Sequence, residues 1–183
     1  PLTEHDIKRI HTTALDVLEN IGIADPTSQL LDYALSKGCF MGDDGRLKFP
    51  RTLVEEMIDI SAKSYIAYGI NRQNDCEISN QRVYMGTSGE AVGILDYESQ
   101  SYRPSILTDL YDAARLADQL ENIHLFGQPF VAGDLSDDLF VHDINIAYAE
   151  LAGTSKSISL GIAEVNHIDP IISMFDIFLG REG

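Results

Sequence analysis

The chain has 183 residues, 44% of them hydrophobic, and a formal net charge of −16 from 29 acidic and 13 basic side chains. That length and apolar content suit one well-cored domain, or a small domain beside a larger one, and exclude a disordered chain. The acidic balance argues against nucleic acid and anionic membrane partners, and no apolar run approaches the roughly 18–20 residues that span a bilayer, so a cytoplasmic, soluble protein is expected.

Thr3, with Asp6 at the reciprocal position, is expected to cap a first helix. In it Ile7, Ile10, Ala14, Val17, Leu18 and Ile21 form one apolar stripe, and Gly22 closes it. A second helix begins near Pro26, with Leu30, Leu31, Ala34 and Leu35 inward, and stops at Gly38. Residues 39–41 and 47–49 flank Gly42-Asp43-Asp44-Gly45 and predict a β-hairpin. Pro50 suits the start of a third helix with Leu53, Val54, Met57 and Ile58 on its buried face. Short strands follow at residues 65–68 and 76–78, and residues 1–80 read as a helical cap with small hairpins.

From residue 81 the pattern changes to strands alternating with helices. Strands are predicted near 82–86, 123–126 and 157–161, and helices over about 107–121, 137–152 and 169–179. A hairpin turn over residues 96–101 interrupts the first unit, and Thr108 is expected to cap the helix after it. In the helices, Leu110, Ala113, Ala114, Ala117 and Leu120, then Ile144, Ala147, Ala149 and Leu151, are expected inward. Parallel strands need crossovers of this length, and two architectures fit: a doubly wound sheet, or the first three units of a (β/α)8 barrel.

Ligands in such folds sit beyond the carboxyl ends of the strands, where this sequence is small and polar. Gly86, Thr87, Ser88, Gly89 and Glu90 follow the first strand, Gln128 the second, and Glu164 with Asn166 the third. Tyr97, Phe126 and Phe130 supply aromatic faces in the same segments. Carboxylates and aromatic faces together can hold a cation, by Coulomb attraction and cation–π contact. Taken singly, each of these residues also reads as ordinary turn chemistry.

Several chemistries are absent from the sequence. It contains no GxGxxG, no GxxxxGK[ST] and no HExxH, and Cys39 and Cys76 belong to no zinc-type spacing. Glu90 stands where a nucleophile elbow around Ser88 would need its last glycine. Among the histidines, only His167 lies where barrel enzymes keep chemistry, and a surface or helix-start role suits it better.

With these segments in view, the chain resembles the N-terminal part of the trimethylamine:corrinoid methyltransferase family, including its members that act on glycine betaine without pyrrolysine. The resemblance rests on the opening LTEHDIKRIHTTALDVLENIGI, on GRLKFPRTLVEEMI, on VYMGTSGEAVGILDYES and on RPSILTDLYDAARLADQLENI, and extends through Leu125-Phe126-Gly127-Gln128-Pro129. It implies an α/β fold: an N-terminal helical cap over residues 1–80, then the first three β/α units of a (β/α)8 TIM-type barrel over residues 81–183. It also implies methyl transfer from trimethylamine or a quaternary amine to the Co(I) of a corrinoid carried by a cognate partner protein, with no cofactor or metal held by this chain. Residues 86–90, Gln128 and Glu164 would be pocket wall, and no catalytic residue is assigned. A chain of this length would be an incomplete enzyme, inactive alone, and its open sheet edges predict a homo-oligomer. The alternative is a non-enzymatic α/β module that binds a cationic amine or a partner protein.

Overall fold

The structure is a computed structural model that describes residues 1–79 and 81–180. The expected cap boundary at residue 80 falls on Asn80, and the chain end at 181–183; both lie outside the described residues. Two compact units are present, residues 1–62 and residues 63–183.

The first unit opens with α1 (Glu4–Asp16), continued by a π-helical turn at Val17–Ile21. Its start is the reciprocal box the sequence predicts: Asp6 N–H donates to Thr3 Oγ1 at 3.2 Å, and Thr3 N–H to Asp6 Oδ2 at 3.0 Å. Such a cap contributes about 1 kcal/mol. Next come α2 (Ser28–Ser36), the antiparallel hairpin β1 (Phe40–Met41) and β2 (Leu47–Lys48), and α3 (Arg51–Ile60). Ala34, Cys39 and Leu47 form the core, with Leu31, Phe49 and Leu53 packed against them. Gly22 is required here, because a Cβ on it would lie 2.1 Å from the Leu47 carbonyl oxygen. That oxygen accepts from Ile23 N–H at 2.9 Å. Lys48 Nζ and the Arg46 guanidinium donate to the carbonyls of Asn20, Ile21 and Gly22, placing positive charge on the negative end of the first helix.

The predicted apolar stripe of α1 is not a buried one. Leu15 is buried, whereas Ile7 and Ile10 are 56% and 57% exposed and Val17 and Ile21 are exposed as well. At Val17 and Ile21 the π turn adds a residue and shifts the phase that the three-and-four spacing assumes. Leu30, Leu35, Met57 and Ile58 are likewise exposed, since the core of this unit is only a few side chains wide.

The second unit begins with two antiparallel pairs. β3 (Tyr65–Ala67) pairs with β4 (Cys76–Ile78), and β5 (Gly93–Leu95) with β6 (Tyr102–Pro104). After them come α4 (Leu107–Gln119), β7 (Leu125–Gly127), α5 (Leu139–Gly153), β8 (Ser157–Ser159) and α6 (Ile168–Phe178). β7 and β8 are parallel, with Leu125 opposite Ser157 and Gly127 opposite Ser159. Leu110, Ala114 and Ala117 of α4, Phe126 of β7, and Ile146 and Ala149 of α5 form one core. Leu120, expected inward, is exposed. Gly153 lets the two helices meet closely, since a Cβ on it would lie 2.4 Å from Ala114 Cβ.

Local chemistry explains where these elements begin. Thr108, expected as a cap, sits inside the first turn of α4, and Ile106 occupies the cap position. Asp109 accepts the Ile106 N–H at 2.9 Å and is held by the forked Arg103 guanidinium at 2.7 and 2.8 Å. That guanidinium keeps the Asp109 carboxyl below the usual carboxylate range. Asp138 caps α5, accepting from Phe140 and Val141 N–H.

The strand expected at 82–86 is reduced to a single bridge. Gly86 pairs in parallel with Leu125, and further on Ala91 pairs in parallel with Phe130. Met85 O accepts from His124 and Leu125 N–H, but Met85 N–H donates to the His124 side chain at Nδ1, which removes the next ladder bond. The parallel order 86–125–157 is therefore as expected, with a seam in place of the first strand. The sheets among the described residues are two-stranded, and none closes into a barrel.

Candidate functional site

The carboxyl ends of the seam, β7 and β8 enclose a cleft of about 490 Å³. Gly86, Thr87, Ser88 and Glu90 line it from the seam, residues 125–128 from β7, and residues 159–161 from the end of β8. Thr87 ties the first two walls together. Its hydroxyl donates to Gly127 O at 2.7 Å and accepts from Gly127 N–H at 3.1 Å, while its own N–H donates to Leu125 O. Only glycine fits at 127, because a Cβ there would lie 2.9 Å from Thr87 O.

Glu90 stands on the rim with φ +46°, a left-handed conformation costly for a non-glycine residue. Its N–H donates to Gln128 O at 3.2 Å, and Ala91 N–H donates to Pro129 O at 2.8 Å. Ser105, buried beneath, donates its one hydroxyl hydrogen to Val131 O at 2.7 Å with Ala91 O alongside at 3.1 Å, and so bridges the two segments. Gln128 turns its amide onto Phe130 O at 2.9 Å.

Five of the seven residues expected as pocket wall therefore line one cleft: Gly86, Thr87, Ser88, Glu90 and Gln128. Gly89, at φ +126°, and Glu164 do not line it. Of the aromatic residues, Phe126 lines the cleft and is fully buried, whereas Tyr97 lies 89% exposed on the β5–β6 turn.

Behind the third wall is a buried pair, of which the sequence singled out His167 but not Asp143. Asp143 Oδ2 lies 2.8 Å from His167 Nδ1 and accepts the Ala163 N–H at 2.8 Å. Both side chains are buried, and the Phe140 ring meets the His167 ring edge-on. The exposed Glu164 carboxylate approaches His167 Nε2 at 3.9 Å. Lys156, at the other end of β8, is also buried, and its Nζ donates to the Ala117 and Leu120 carbonyls at the end of α4 and to Ile123 O in the turn that follows. Asp118 gathers the Ser155 N–H and the hydroxyls of Thr154 and Ser155, at 2.6 to 3.0 Å. For Asp143 a signal existed: it recurs on α5 with Ile146, Ala147 and Glu150, so it occupies an apolar-stripe position. Lys156 carried no comparable mark.

Cys39 and Cys76 are buried free thiols whose pKa values burial pushes up. Among the described residues no group of three or more His, Cys, Asp or Glu side chains could hold a metal ion, and no helix is long and apolar enough to cross a membrane.

The family model described as trimethylamine methyltransferase (MTTB) matches residues 1–183. Trimethylamine methyltransferase MttB of Desulfitobacterium hafniense (strain DSM 10664 / DCB-2) is 24% identical over 182 residues, covering 98% of this chain and 36% of the relative. Trimethylamine methyltransferase MttB of Methanosarcina thermophila is 24% identical over 173 residues, 92% of this chain and 34% of the relative. The glycine betaine methyltransferase of Desulfitobacterium hafniense (strain Y51) is 24% identical over 164 residues, 89% of this chain and 33% of the relative. The chain thus spans about a third of the length of the curated relatives it matches.

Fold and cleft define an α/β protein with parallel strands whose carboxyl ends carry a small polar cleft. The chain belongs to the trimethylamine methyltransferase family.

Proposed function

We propose that this chain is the N-terminal part of an enzyme that moves a methyl group from a small methylated amine to a corrinoid carried by a partner protein, and that its strand-end cleft is part of the amine pocket. The observation that carries this reading is the cleft at the carboxyl ends of parallel strands, in a chain matched by the family model along its whole length. The corrinoid would supply the nucleophile as Co(I), so no nucleophilic side chain is required of this chain. A cleft of about 490 Å³ suits a small molecule rather than a corrin macrocycle, which agrees with a macrocycle presented by another protein at the mouth.

This chain's own residues would then position and exclude. Thr87 and Gly127 lock two walls at fixed separation, Leu125 and Leu160 offer apolar contact to methyl groups, and the β8 wall limits access by water. Alignment of an N–CH3 bond depends on such rigidity. The barrel of which these strands would be the first three belongs to this proposal, as do the helical cap over residues 1–80 and the partial barrel over residues 81–183. The test is methyl transfer to a corrinoid protein by the longer parent protein across a panel of methylated amines. Transfer by the parent, but none above a no-protein control by the 183-residue chain, is expected. Transfer by the short chain alone would overturn the reading of it as a part.

A further inference from the structure

We infer that Glu90 is the specificity-determining residue of the cleft, admitting a small organic cation and rejecting a neutral molecule of the same shape. This deepens the proposed function and rests on the cleft being a ligand pocket. Among the described residues that line the cleft, Glu90 alone has an ionisable side chain; Thr87, Ser88, Gln128 and Ser159 are neutral. Its carboxylate has no hydrogen bond or ion pair to any described residue, although Arg82 and Arg103 in neighbouring segments are both paired, to Glu77 and to Asp96 and Asp109. No cation among the described residues is paired with it.

The backbone fixes where that carboxylate goes. Glu90 keeps its left-handed φ of +46° because Glu90 N–H and Ala91 N–H are both bonded to the segment after β7. From that anchor the carboxylate reaches across to the third wall: a methyl added to Gly161 would lie 3.6 Å from Glu90 Oε1. Gly161 leaves the space beneath it open. An aliphatic surface from Leu125 and Leu160 lies in the same cleft, so a compact cation with an apolar skin satisfies both features. A strained backbone conformation that aims an unpaired charge over a cleft is a common device of binding sites.

Choline and 3,3-dimethyl-1-butanol, which differ in shape very little and in charge by one, are the probes. Amide shifts of Thr87, Gly127 and Gly161 are followed by NMR in the 183-residue chain as each is titrated. Choline is expected to bind about fivefold more tightly, the attraction of two unit charges about 4 Å apart in water. Glu90→Gln should erase the preference, Glu90→Asp should keep part of it, and added salt should weaken it in the native chain and in Glu90→Asp. Spectra of the variants that match the native one outside the cleft exclude misfolding. A choline preference that survives Glu90→Gln, or equal binding of both probes to the native chain, overturns the role of Glu90 and leaves the cleft as a pocket. Failure of both probes to move any cleft amide overturns the pocket itself and the inference with it.

Discussion

Asp143 on α5 and His167 at the start of α6 meet at 2.8 Å through Oδ2 and Nδ1, both buried, and the same oxygen holds the Ala163 N–H. The loop between β8 and α6 is thereby tied to a helix that belongs to the core, and residues 160 and 161 of that loop wall the cleft. Asp143→Ala would leave a ring nitrogen and a backbone N–H without their acceptor in the interior. A loss of about 2–4 kcal/mol is expected in urea unfolding, with Asp143→Asn costing less because it retains one acceptor. Equal losses for the two variants would show that the pair fills space rather than bonds.

Glu150 is fully buried, and neither carboxylate oxygen has a hydrogen-bond partner among the described residues. Burial lifts its pKa from 4.5 to about 8. Between those values the folded chain keeps a proton that the unfolded chain has released, so stability is whole below pH 4.5 and falls as pH rises towards about 8. At about 1.4 kcal/mol per pH unit the window amounts to about 5 kcal/mol. Glu150→Gln removes this titration. The difference in unfolding free energy between variant and native chain should grow from pH 5 to pH 8 and then level off; a difference constant with pH would contradict a buried, unpaired carboxylate.

Gly153 and Ala114 set the spacing of α4 and α5, as a Cβ on Gly153 would come within 2.4 Å of Ala114 Cβ. Gly153→Ala should cost about 1–3 kcal/mol by overpacking, despite the better helix propensity of alanine. Ala114→Gly in the same chain should recover much of that loss, a coupling that thermal unfolding of the four combinations would measure. Additive effects would mean that the helices simply move apart.

Self-association is expected of the isolated chain. Val83 and Met85 are 85% and 57% exposed beside the seam, and β8 has no strand on its far side among the described residues. Each such side chain covered by a second copy contributes about 1.5–3 kcal/mol, against the repulsion of two strongly acidic surfaces. Sedimentation equilibrium at physiological ionic strength should therefore show mass rising over micromolar concentrations. A constant monomer mass would show that the exposed side chains need no cover.

Elements governed by local chemistry were legible in the sequence: the Thr3–Asp6 box, the hairpin around Gly42 and Gly45, and the inward faces of α4 and α5. Non-local competition was not. The first strand lost its ladder because His124, 39 residues away, takes the Met85 N–H. β7 begins at Leu125 rather than Ile123, whose carbonyl is taken by Lys156. At the site, small residues at strand ends marked the cleft. Sequence alone could not separate Glu90, which lines it, from Glu164, which does not, since both are loop carboxylates. Asp143 stood in register with the apolar stripe of α5, but its partner His167, 24 residues on, could not be read from the sequence.

Thr87 joins the cleft walls by a reciprocal pair of bonds, but the seam that carries it is flanked by single bridges at Gly86 and Ala91 rather than by a continuous ladder. The helices α4 and α5 beneath are sealed by a continuous apolar core. The two layers should open on different clocks. Amides of residues 86–91 would exchange with solvent through small local openings while those of α4 and α5 wait for global unfolding. The cleft can thus loosen and re-form many times within the lifetime of a single folded molecule, leaving the helical core undisturbed.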